Sequence, residues 1–365
     1  MEVEKMRERY SFPKVAWLSL TEQCNNRCVW CYEKCNKASG KAFMGHEIVF
    51  KALGLLNKID LNKVILIGGE PTLHPELSEI INTIKILGLK LSMVTNGRKL
   101  SDMDMVMAIK EKGIDQVTIS VHGWSEQTYS NFTGSSVGFG ELKDAIRNLR
   151  VASVNHDFNI TLSNFTLGRV DEIMDFLNSQ GIRKIGFNLS APSVSAEKVE
   201  SSFVPSAIEF RWHILEVVRK SSEAGIKPVF LFTMPYCIFS DDDWRFILSN
   251  ASIISGCQLL HGSGIVICPD GSLALCNHLL DFKISEPEQF NDIFSNGRSF
   301  EMFWFSDYLS NIRRESNCFR SKKCEHCPSW NQCGSGCLVR WSLYNVDDVI
   351  CRQVDIENLM GKGGT

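Results

Sequence analysis

The chain has 365 residues, a formal net charge of −3, and 14 cysteines, and 22% of its residues are charged. This charge balance does not indicate a nucleic-acid-binding surface, and the length suffices for one large and one smaller domain. No apolar run is long enough to span a bilayer, and the charged N-terminal residues are unlike a signal peptide. We therefore expect a cytoplasmic protein whose clustered cysteines bind metal rather than form disulfides.

Short runs rich in Val, Ile and Leu predict six β-strands, at residues 15–20, 63–67, 90–95, 116–121, 157–162 and 184–189. Amphipathic segments predict helices at residues 47–59, 76–87, 102–112, 141–151, 170–180 and 204–225. Left-handed helix ends are expected at Gly88, Gly113 and Gly181. This alternation predicts a parallel sheet with right-handed crossovers, and leaves open whether the sheet is doubly wound or a barrel.

The strand–helix alternation breaks after the sixth helix. Residues 265–276 predict a β-hairpin with its turn at Pro269-Asp270-Gly271, and residues 298–315 predict a helix. The remainder is expected to be cysteine-rich loop. We therefore predict two domains, residues 1–235 and residues 236–365.

Three cysteines directly follow the first strand, in the pattern Cys24-x3-Cys28-x2-Cys31. Three such thiolates can hold three irons of a [4Fe–4S] cluster, which leaves the fourth iron open to a small molecule. A zinc knuckle with Cys35 as fourth ligand, or chance clustering, are the alternatives. Reactive groups of a parallel sheet gather at the carboxyl ends of its strands, and these cysteines stand at such an end.

The tetrapeptide Gly68-Gly69-Glu70-Pro71 follows the second strand. Its two glycines would let a ligand approach the backbone, and a carboxylate beside exposed backbone groups suits an α-ammonium group. Together with the cysteine pattern, in which Trp30 fills an aromatic position, this motif resembles the radical S-adenosylmethionine (SAM) superfamily. The resemblance implies a partial, TIM-like (β/α)6 barrel. It also implies that SAM, its amino group bound at this tetrapeptide, is cleaved to methionine and a 5′-deoxyadenosyl radical that abstracts a substrate hydrogen.

The resemblance implies further SAM contacts. Trp30 is expected against the adenine, Ser120 against the bound SAM, and Leu189 in an apolar wall of the adenine pocket, while Asn96 faces the same end of the barrel. For Ser120 a role in capping a turn remains open, as does simple core packing for Leu189. Residues 131–134 lack the arginine that binds the SAM carboxylate in some relatives, so this contact is not expected here.

The C-terminal cysteines resemble the seven-cysteine SPASM domain, which carries auxiliary clusters. The resemblance implies three [4Fe–4S] clusters in all, one of them the SAM-binding cluster. The first auxiliary cluster would be held by Cys257, Cys276 and Cys337. The second would be held by Cys324, Cys327, Cys333 and Cys351. Zinc ribbons built from the same cysteines are the alternative.

Two departures from the family pattern bear on function. Between residues 258 and 263 only His261 or Ser263 could be a fourth ligand of the first auxiliary cluster, and neither is an ordinary one. We therefore expect an open iron there, able to bind a substrate thiolate or deprotonated amide. Asn277 stands where the sulfatase-maturing relatives carry an aspartate base, which disfavours that reaction.

The remaining thiols are predicted not to be ligands; they are Cys35, Cys237, Cys268 and Cys318. Among the other polar residues, His122 is expected to be a surface or turn histidine, and Asp241–Asp243 to begin a helix.

These patterns predict an enzyme that modifies a ribosomally made peptide. A dehydrogenase acting on a small molecule is the alternative, and a non-catalytic iron–sulfur electron carrier is a third hypothesis. Since only about two dozen residues precede the cysteine loop, we expect peptide recognition by a separate protein or by the open edge of the barrel. The expected electron donor is a flavodoxin or ferredoxin, and neither nucleic acid nor a membrane is an expected partner.

Overall fold

The computed structural model describes residues 10–32, 43–195, 197–316 and 321–359, without the side chains of residues 260, 261 and 346. The chain divides into two compact units. The first comprises Met1–Asp157, Ser193–Lys198 and His261–Arg314. The second comprises Phe158–Pro192, Val199–Leu260 and Glu315–Thr365. The boundary predicted near residue 235 thus falls inside the second unit, and the predicted domain division differs from the observed units.

The strands in chain order are β1 Val15–Ser19, β2 Lys63–Ile67, β3 Lys90–Thr95, β4 Gln116–Ser120, β5 His156–Leu162, β6 Lys184–Leu189, β7 Ser193–Val194, β8 Val199–Glu200, β9 Lys227–Leu231, β10 Ser252–Ile254, β11 Gly264–Ile267 and β12 Leu273–Ala274. The longer helices are α1 His46–Leu56, α2 Leu77–Ile86, α3 Met103–Glu111, α4 Glu126–Thr133, α5 Gly138–Val151, α6 Val170–Ser179, α7 Ala207–Glu223 and α8 Asp241–Asn250. The remaining helices are α9 Gln258–His261, α10 Phe290–Ile293, α11 Gly297–Trp304, α12 Asp307–Ser316, α13 Trp330–Cys333, α14 Val346–Val349 and α15 Ile356–Leu359.

In the first unit the strands lie in the order β4-β3-β2-β1-β11-β12. All neighbours are parallel except β11 and β12, which form an antiparallel hairpin. The strands form because β-branched apolar residues alternate along them, and inward residues such as Ala16 and Leu18 of β1 are fully buried. The hairpin turns at Gly271, whose φ is +88° and whose amide donates to the carbonyl of Cys268 at 2.9 Å.

In the second unit the strands lie in the order β10-β9-β6-β5, and all neighbours are parallel. The connections through α6, α7 and α8 bury apolar faces, including Phe210 and Trp244. The cysteine-rich segment 321–359 of this unit contains only short helical turns. Among the described helices of both units, none combines the length and the apolar character that crossing a membrane requires.

The six predicted strands are confirmed, with bounds that differ by at most one residue. Gly88, Gly113 and Gly181 have the expected positive φ values of +73°, +84° and +65°. The predicted break after α7 is wrong, because β9, α8 and β10 continue the alternation. The predicted β-hairpin is present, but β11 also pairs with β1 along Val15–Leu18, which explains why residues 261–314 belong to the first unit.

The single helix predicted at residues 298–315 is two helices, α11 and α12. The carbonyl of Trp304, at the end of α11, accepts a hydrogen bond from Nη1 of Arg313 at 3.0 Å. Ser306 begins the next helix, and its hydroxyl accepts from the amide of Leu309 at 3.4 Å. A side-chain cap therefore restarts the helix where the periodic pattern predicted continuity.

Candidate active site

The loop that carries the three N-terminal cysteines follows β1 directly and is anchored on helix α4. The amide of Arg27 donates to the carbonyl of Thr133 at 2.7 Å, and the amide of Val29 donates to that of Phe132 at 3.0 Å. These carbonyls belong to the last turn of α4, where no intrahelical donor is available. Helix α4 therefore positions the cysteine loop by backbone bonds.

The Gly-Gly motif after β2 forms the other support of this loop. The amide of Gly69 donates to the carbonyl of Thr21 at 2.7 Å, and the amide of Glu70 donates to that of Gln23 at 2.8 Å. A Cβ on Gly69 would lie 2.3 Å from the Gln23 carbonyl oxygen, and Gly68 has a φ of +134°. The glycines were predicted to admit a ligand, whereas in the structure they admit the backbone of the cysteine loop.

Glu70 is buried and its carboxylate accepts four hydrogen bonds. Oε1 accepts from the Thr72 amide at 3.1 Å, the Thr72 hydroxyl at 2.6 Å and the Thr95 hydroxyl at 2.6 Å. Oε2 accepts from the Asn96 amide at 2.8 Å. Burial raises the pKa of Glu70, although these hydrogen bonds oppose the rise. The carboxylate thus ties the ends of β2 and β3 together.

Asn96 links the hydrogen bonds of Glu70 to the first cysteine of the loop. Its Nδ2 donates to Oδ1 of Asn25 at 2.7 Å and lies 3.9 Å from Sγ of Cys24, which also accepts from the Asn26 amide at 3.4 Å. Arg98 donates to the Asn25 carbonyl and to Oδ1 of Asn26. Hydrogen bonds to a cluster's sulfurs tune its reduction potential. Our sequence reasoning missed Arg98, although its place directly after a strand end was a usable signal.

Trp30 lies between two other rings. Its ring centroid is 5.9 Å from that of His122 and 5.4 Å from that of Phe132. Burial lowers the pKa of His122 to about 4, so this imidazole is neutral at neutral pH. Ser120 is half-buried at the end of β4, as expected, while His122 is half-buried rather than a surface residue.

The buried thiol of Cys28 is held in its neutral form when no cation is bound. Burial raises the pKa of Cys28 well above its ordinary value, and the neighbouring charges of Cys31 and Cys24 raise it further, so ionised thiolates here need a positive partner. Across the described part of the chain, no three His, Cys, Asp or Glu side chains converge as ligands of one ion.

The cysteines of the predicted auxiliary sites are distributed over both units. Cys257 and Cys337 lie in the second unit and Cys276 in the first. The second set lies in the second unit; its members are Cys324, Cys327, Cys333 and Cys351. Cys35, Cys318 and the side chain of His261 lie outside the described residues.

The second set has a built environment. Cys324, Cys327 and Cys333 line one cavity. The amide of Tyr236 donates to Sγ of Cys333 at 3.3 Å, and the amide of Val354 donates to Sγ of Cys327 at 3.4 Å. Backbone donors to sulfur stabilise thiolates and tune the potential of a cluster bound to them, so these residues fit the predicted group.

Arg340 is a buried cation in the second unit that our sequence reasoning missed. Its Nη2 donates to the carbonyl of Leu189 at 2.8 Å and to the hydroxyl of Thr233 at 3.3 Å. Its Nε and Nη1 are buried without a hydrogen-bond acceptor among the described residues. Burial lowers the pKa of Arg340, and the negative charge of Cys337 opposes this. A buried guanidinium at the ends of β6 and β9, with two nitrogens that lack an acceptor in the described part of the chain, suits an anionic group.

Part of the chain matches a known family model. Residues 18–177 match the model of the Radical SAM superfamily. The sequence is 26% identical over 276 residues to a probable GTP 3′,8-cyclase of Thermococcus kodakarensis. The aligned region covers 73% of this chain and 86% of that relative. The match confirms a radical SAM domain.

Solved structures agree on the fold. Streptococcus suis SuiB bound to the precursor peptide SuiA superposes with a TM-score of 0.69 at 16% identity, over 96% of this chain and 79% of that chain. The enzyme anSMEcpe with bound AdoMet and the Kp18Cys peptide gives a TM-score of 0.66 at 15% identity, over 96% and 95%. The predicted radical SAM α/β fold, a partial barrel with a parallel sheet and a cysteine-rich C-terminal region, is confirmed.

Proposed function

We propose that this chain, whose residues 18–177 form a radical SAM domain, is a radical SAM enzyme that crosslinks or oxidises a ribosomally made peptide. The observation that carries the proposal is the cysteine loop, which is held in place by backbone bonds from α4 and from the Gly-Gly motif. The peptide substrate is supported by the likeness in fold to SuiB and anSMEcpe, both solved with peptides.

In this proposal Cys24, Cys28 and Cys31 hold the SAM-binding cluster. When bound, a [4Fe–4S] cluster with SAM supplies one-electron cleavage of SAM to a 5′-deoxyadenosyl radical. The chain contributes orientation, because a loop fixed by backbone bonds holds its three thiols in one arrangement before any ligand binds.

The other SAM contacts follow from the positions of the predicted residues. Gly68–Pro71 would offer backbone groups to the amino group of SAM. Trp30, in the cysteine loop, would lie against the adenine, and Ser120, at the end of β4, would contact the bound SAM. Leu189 and Asn96 complete the proposed set. The Glu70 carboxylate accepts four hydrogen bonds, all from residues of the first unit. We therefore propose that Glu70 fixes the ends of β2 and β3 and does not bind SAM directly.

Two auxiliary clusters complete the proposed enzyme. The second would be held by Cys324, Cys327, Cys333 and Cys351. The first three of these line one cavity, and the sulfurs of Cys327 and Cys333 accept hydrogen bonds from backbone amides, which supports the proposal. The first, at Cys257, Cys276 and Cys337, is proposed to have an open iron for the substrate. With an external donor such as a flavodoxin or ferredoxin, these clusters would pass electrons to and from the substrate.

The second candidate function is a radical reaction on a small-molecule substrate. GTP is the first substrate to test, because the relatives are named as GTP 3′,8-cyclases. The chain matches a probable GTP 3′,8-cyclase over most of that relative's length. The buried guanidinium of Arg340, whose Nε and Nη1 find no acceptor among the described residues, is suited to a carboxylate or phosphate. This observation favours an anionic small molecule over a neutral one.

The test uses anaerobically reconstituted full-length protein, reduced with dithionite and supplied with SAM. We expect 5′-deoxyadenosine by liquid chromatography with mass spectrometry, and its absence would contradict radical SAM activity. Addition of peptides encoded beside the gene is expected to give a product altered in mass, while addition of GTP leaves GTP unchanged. Conversion of GTP without any change in the peptides would instead establish the second candidate. The Cys24/Cys28/Cys31→Ala variant is the control for both arms.

A further inference from the structure

Arg340 in the second unit is a buried cation without a carboxylate partner among the described residues. Its side chain is 2% exposed, and its Nε and Nη1 find no hydrogen-bond acceptor in the described part of the chain. The two bonds that its Nη2 makes go to neutral groups, the Leu189 carbonyl and the Thr233 hydroxyl. A buried charge is costly unless an opposite charge or a full set of hydrogen bonds compensates it. The position therefore requires an anion that these neighbours do not supply.

The other groups that surround Arg340 are also neutral. Its guanidinium carbon lies 4.8 Å from the ring centroid of Phe210, which is fully buried. The face of an aromatic ring attracts a cation but carries no net charge. The hydroxyl of Tyr344 donates to the Pro205 carbonyl at 2.7 Å, and burial raises the pKa of Tyr344, so this phenol is not ionised at neutral pH. Neither ring neutralises the guanidinium.

Cys337 is fixed beside Arg340 by backbone bonds. The amide of Arg340 donates to the Cys337 carbonyl at 3.0 Å, and the amide of Cys337 donates to the Thr233 carbonyl at 2.9 Å. Thr233 thus bonds both residues, because its hydroxyl accepts from Nη2 of Arg340. A Cβ on Gly336 would lie 2.8 Å from the Thr233 carbonyl oxygen, so a glycine is needed for this close approach. Cys337 and Arg340 therefore share one anchor in the second unit.

The missing negative charge can come from Cys337. Burial lowers the pKa of Arg340, and the negative charge of a Cys337 thiolate opposes this. Cys337 is a predicted ligand of the first auxiliary cluster, and a cluster binds its cysteines as thiolates. Reduction adds one more negative charge to a cluster, and a cation held nearby in a poorly polarisable interior stabilises the reduced form. A buried arginine beside a ligand should therefore raise the reduction potential.

We propose that Arg340 is the counter-charge of the first auxiliary cluster at Cys337, and that it raises the reduction potential of this cluster. The inference rests on the proposed function, which assigns a cluster to Cys257, Cys276 and Cys337. Arg340 acts through a ligand and does not itself react. The higher potential makes this cluster a better electron acceptor.

The experiment measures reduction potentials in the full-length chain, reconstituted with iron and sulfide. Its three N-terminal cysteines are replaced by alanine, so that the signal of the SAM-binding cluster is absent. In this background Arg340→Met removes the charge, whereas Arg340→Lys keeps it. Cys257→Ala identifies which signal belongs to the first auxiliary cluster. Spin-resonance spectra recorded during a reductive titration give the potential of each cluster, and the iron content is measured for every variant.

Arg211→Met is the matched control. Arg211 lies next to Phe210 on α7 in the same unit, but its Nη2 donates to Oδ2 of Asp243 at 2.6 Å. Its charge is therefore already paired within the protein. This substitution removes a guanidinium from the same helix and should leave both potentials at the parent values.

We expect Arg340→Met to lower the potential of the first auxiliary cluster. At a fixed solution potential, the ratio of oxidised to reduced cluster should rise at least about tenfold, which corresponds to about 59 mV for one electron. The second auxiliary cluster should be unaffected, and Arg340→Lys should stay close to the parent. An unchanged potential in Arg340→Met at the parent's iron content would overturn the proposal. An equal drop in Arg340→Lys would overturn it too, because lost charge would then not be the cause.

Arg340→Gln is the second uncharged variant, in case Arg340→Met does not fold. Its amide can still donate to the Leu189 carbonyl, so it keeps a buried hydrogen bond without the charge, and the same drop in potential is expected. If both uncharged variants lose the iron of the first cluster while Arg340→Lys retains it, the need for the charge is supported through assembly. If the potentials stay unchanged and the KM for GTP rises in the enzyme with intact N-terminal cysteines, Arg340 binds a substrate anion and the proposal is wrong.

Failure of the proposed function gives a different result. An Arg340-dependent potential in a protein whose wild type forms no 5′-deoxyadenosine refutes the radical reaction and leaves the inference intact. Normal formation of 5′-deoxyadenosine with unchanged potentials refutes the inference alone. A parent that binds zinc, or no metal, at Cys337 refutes the first auxiliary cluster and the role of Arg340 together.

Discussion

The two cysteine regions of this chain are built in different ways. The N-terminal loop, residues 21–32, is held by backbone bonds from α4 and from the Gly-Gly motif, all within the first unit. The C-terminal segment, residues 321–359, has helices of only four residues and short turns around its cysteines. Short helices are marginal in isolation, so this segment depends on what its cysteines bind. We therefore expect the protein alone to shape the first site, and bound metal to complete the second.

The largest expected effect comes from removing each set of cysteines. Cys24/Cys28/Cys31→Ala should abolish 5′-deoxyadenosine formation, yet change the free energy of unfolding by less than about 1 kcal/mol, because Cys24 is exposed and the loop keeps its backbone bonds. Cys324/Cys327/Cys333→Ala should speed trypsin cleavage near Lys322 by at least about tenfold, which corresponds to about 1.4 kcal/mol of easier local opening. Limited proteolysis of both variants measures the contrast. Equal protection of the segment in the two would contradict it.

The core of the second unit provides the next test, through its pH dependence. His213, on α7, is fully buried, and neither ring nitrogen has a partner among the described residues. Burial lowers the pKa of His213 to about 4 from 6.5. Because the pKa of His213 is lower in the folded than in the unfolded protein, neutral His213 contributes its full stabilisation above pH 6.5. This stabilisation, about 3 kcal/mol in all, is lost as the pH falls toward 4.

The variant His213→Leu should lack this loss. Urea unfolding at pH 7.5 and pH 4.5 should therefore show a smaller difference for the variant than for the parent. His326→Gln, at an exposed histidine of the cysteine-rich segment, is the control and should behave as the parent does. An identical acid loss in His213→Leu would refute the assignment.

A single added carbon at Gly69 should disrupt the backbone bonds that hold the N-terminal loop. Gly69→Ala places a Cβ 2.3 Å from the Gln23 carbonyl oxygen, so the backbone must move and the chain should lose about 2 kcal/mol of stability together with SAM binding. Gly54→Ala, on α1, is the matched control, because its Cβ would meet nothing within 4 Å. It should be stabilising by up to about 1 kcal/mol. Chemical denaturation and equilibrium dialysis with SAM measure both, and equal behaviour of the two variants would show that the contact is unimportant.

Glu70→Gln is expected to lower the free energy of unfolding by only about 1–2 kcal/mol, because the amide can still accept some of the four hydrogen bonds. Burial raises the pKa of Glu70 in the folded protein above its ordinary value of 4.5. The stabilisation linked to protonated Glu70 is therefore full below pH 4.5, and it is lost as the pH rises through the pKa of the folded protein. The advantage of the parent over the variant should therefore shrink as the pH rises above 4.5. Urea midpoints measured from pH 4 to pH 7 test this, and an advantage that grows with pH would contradict it.

Much of the fold was predictable from local patterns, and the failures have physical causes. β1 to β6 are short apolar runs bounded by Gly, Asn or Asp, so their bounds were found within one residue. Helix α4 was missed because its sequence, EQTYSNFT, has few apolar residues and is stabilised by the cap at Ser125 and by the cysteine loop. The pairing of β11 with β1 joins residues about 250 positions apart, and no local pattern encodes such a partner.

The candidate site, like the fold, could be predicted from the sequence only in part. Cys24, Cys28 and Cys31 could be proposed as cluster ligands because their spacing resembles the radical SAM pattern. The contributions of Arg98 and Arg340 depend on which carbonyls lie near them in the fold, and this information is absent from spacing.

The position of β11 beside β1 has a consequence for how the chain is made. β1 leaves the ribosome about 250 residues before its neighbour β11. At a synthesis rate of about 5–20 residues per second, one edge of β1 waits roughly 12–50 s for its partner. During that interval the nascent chain presents unpaired amides and carbonyls on an apolar strand, the kind of edge that pairs with other chains. High-yield production of this protein should therefore respond to slower initiation, lower temperature or added chaperone more than to changes at the mature surface.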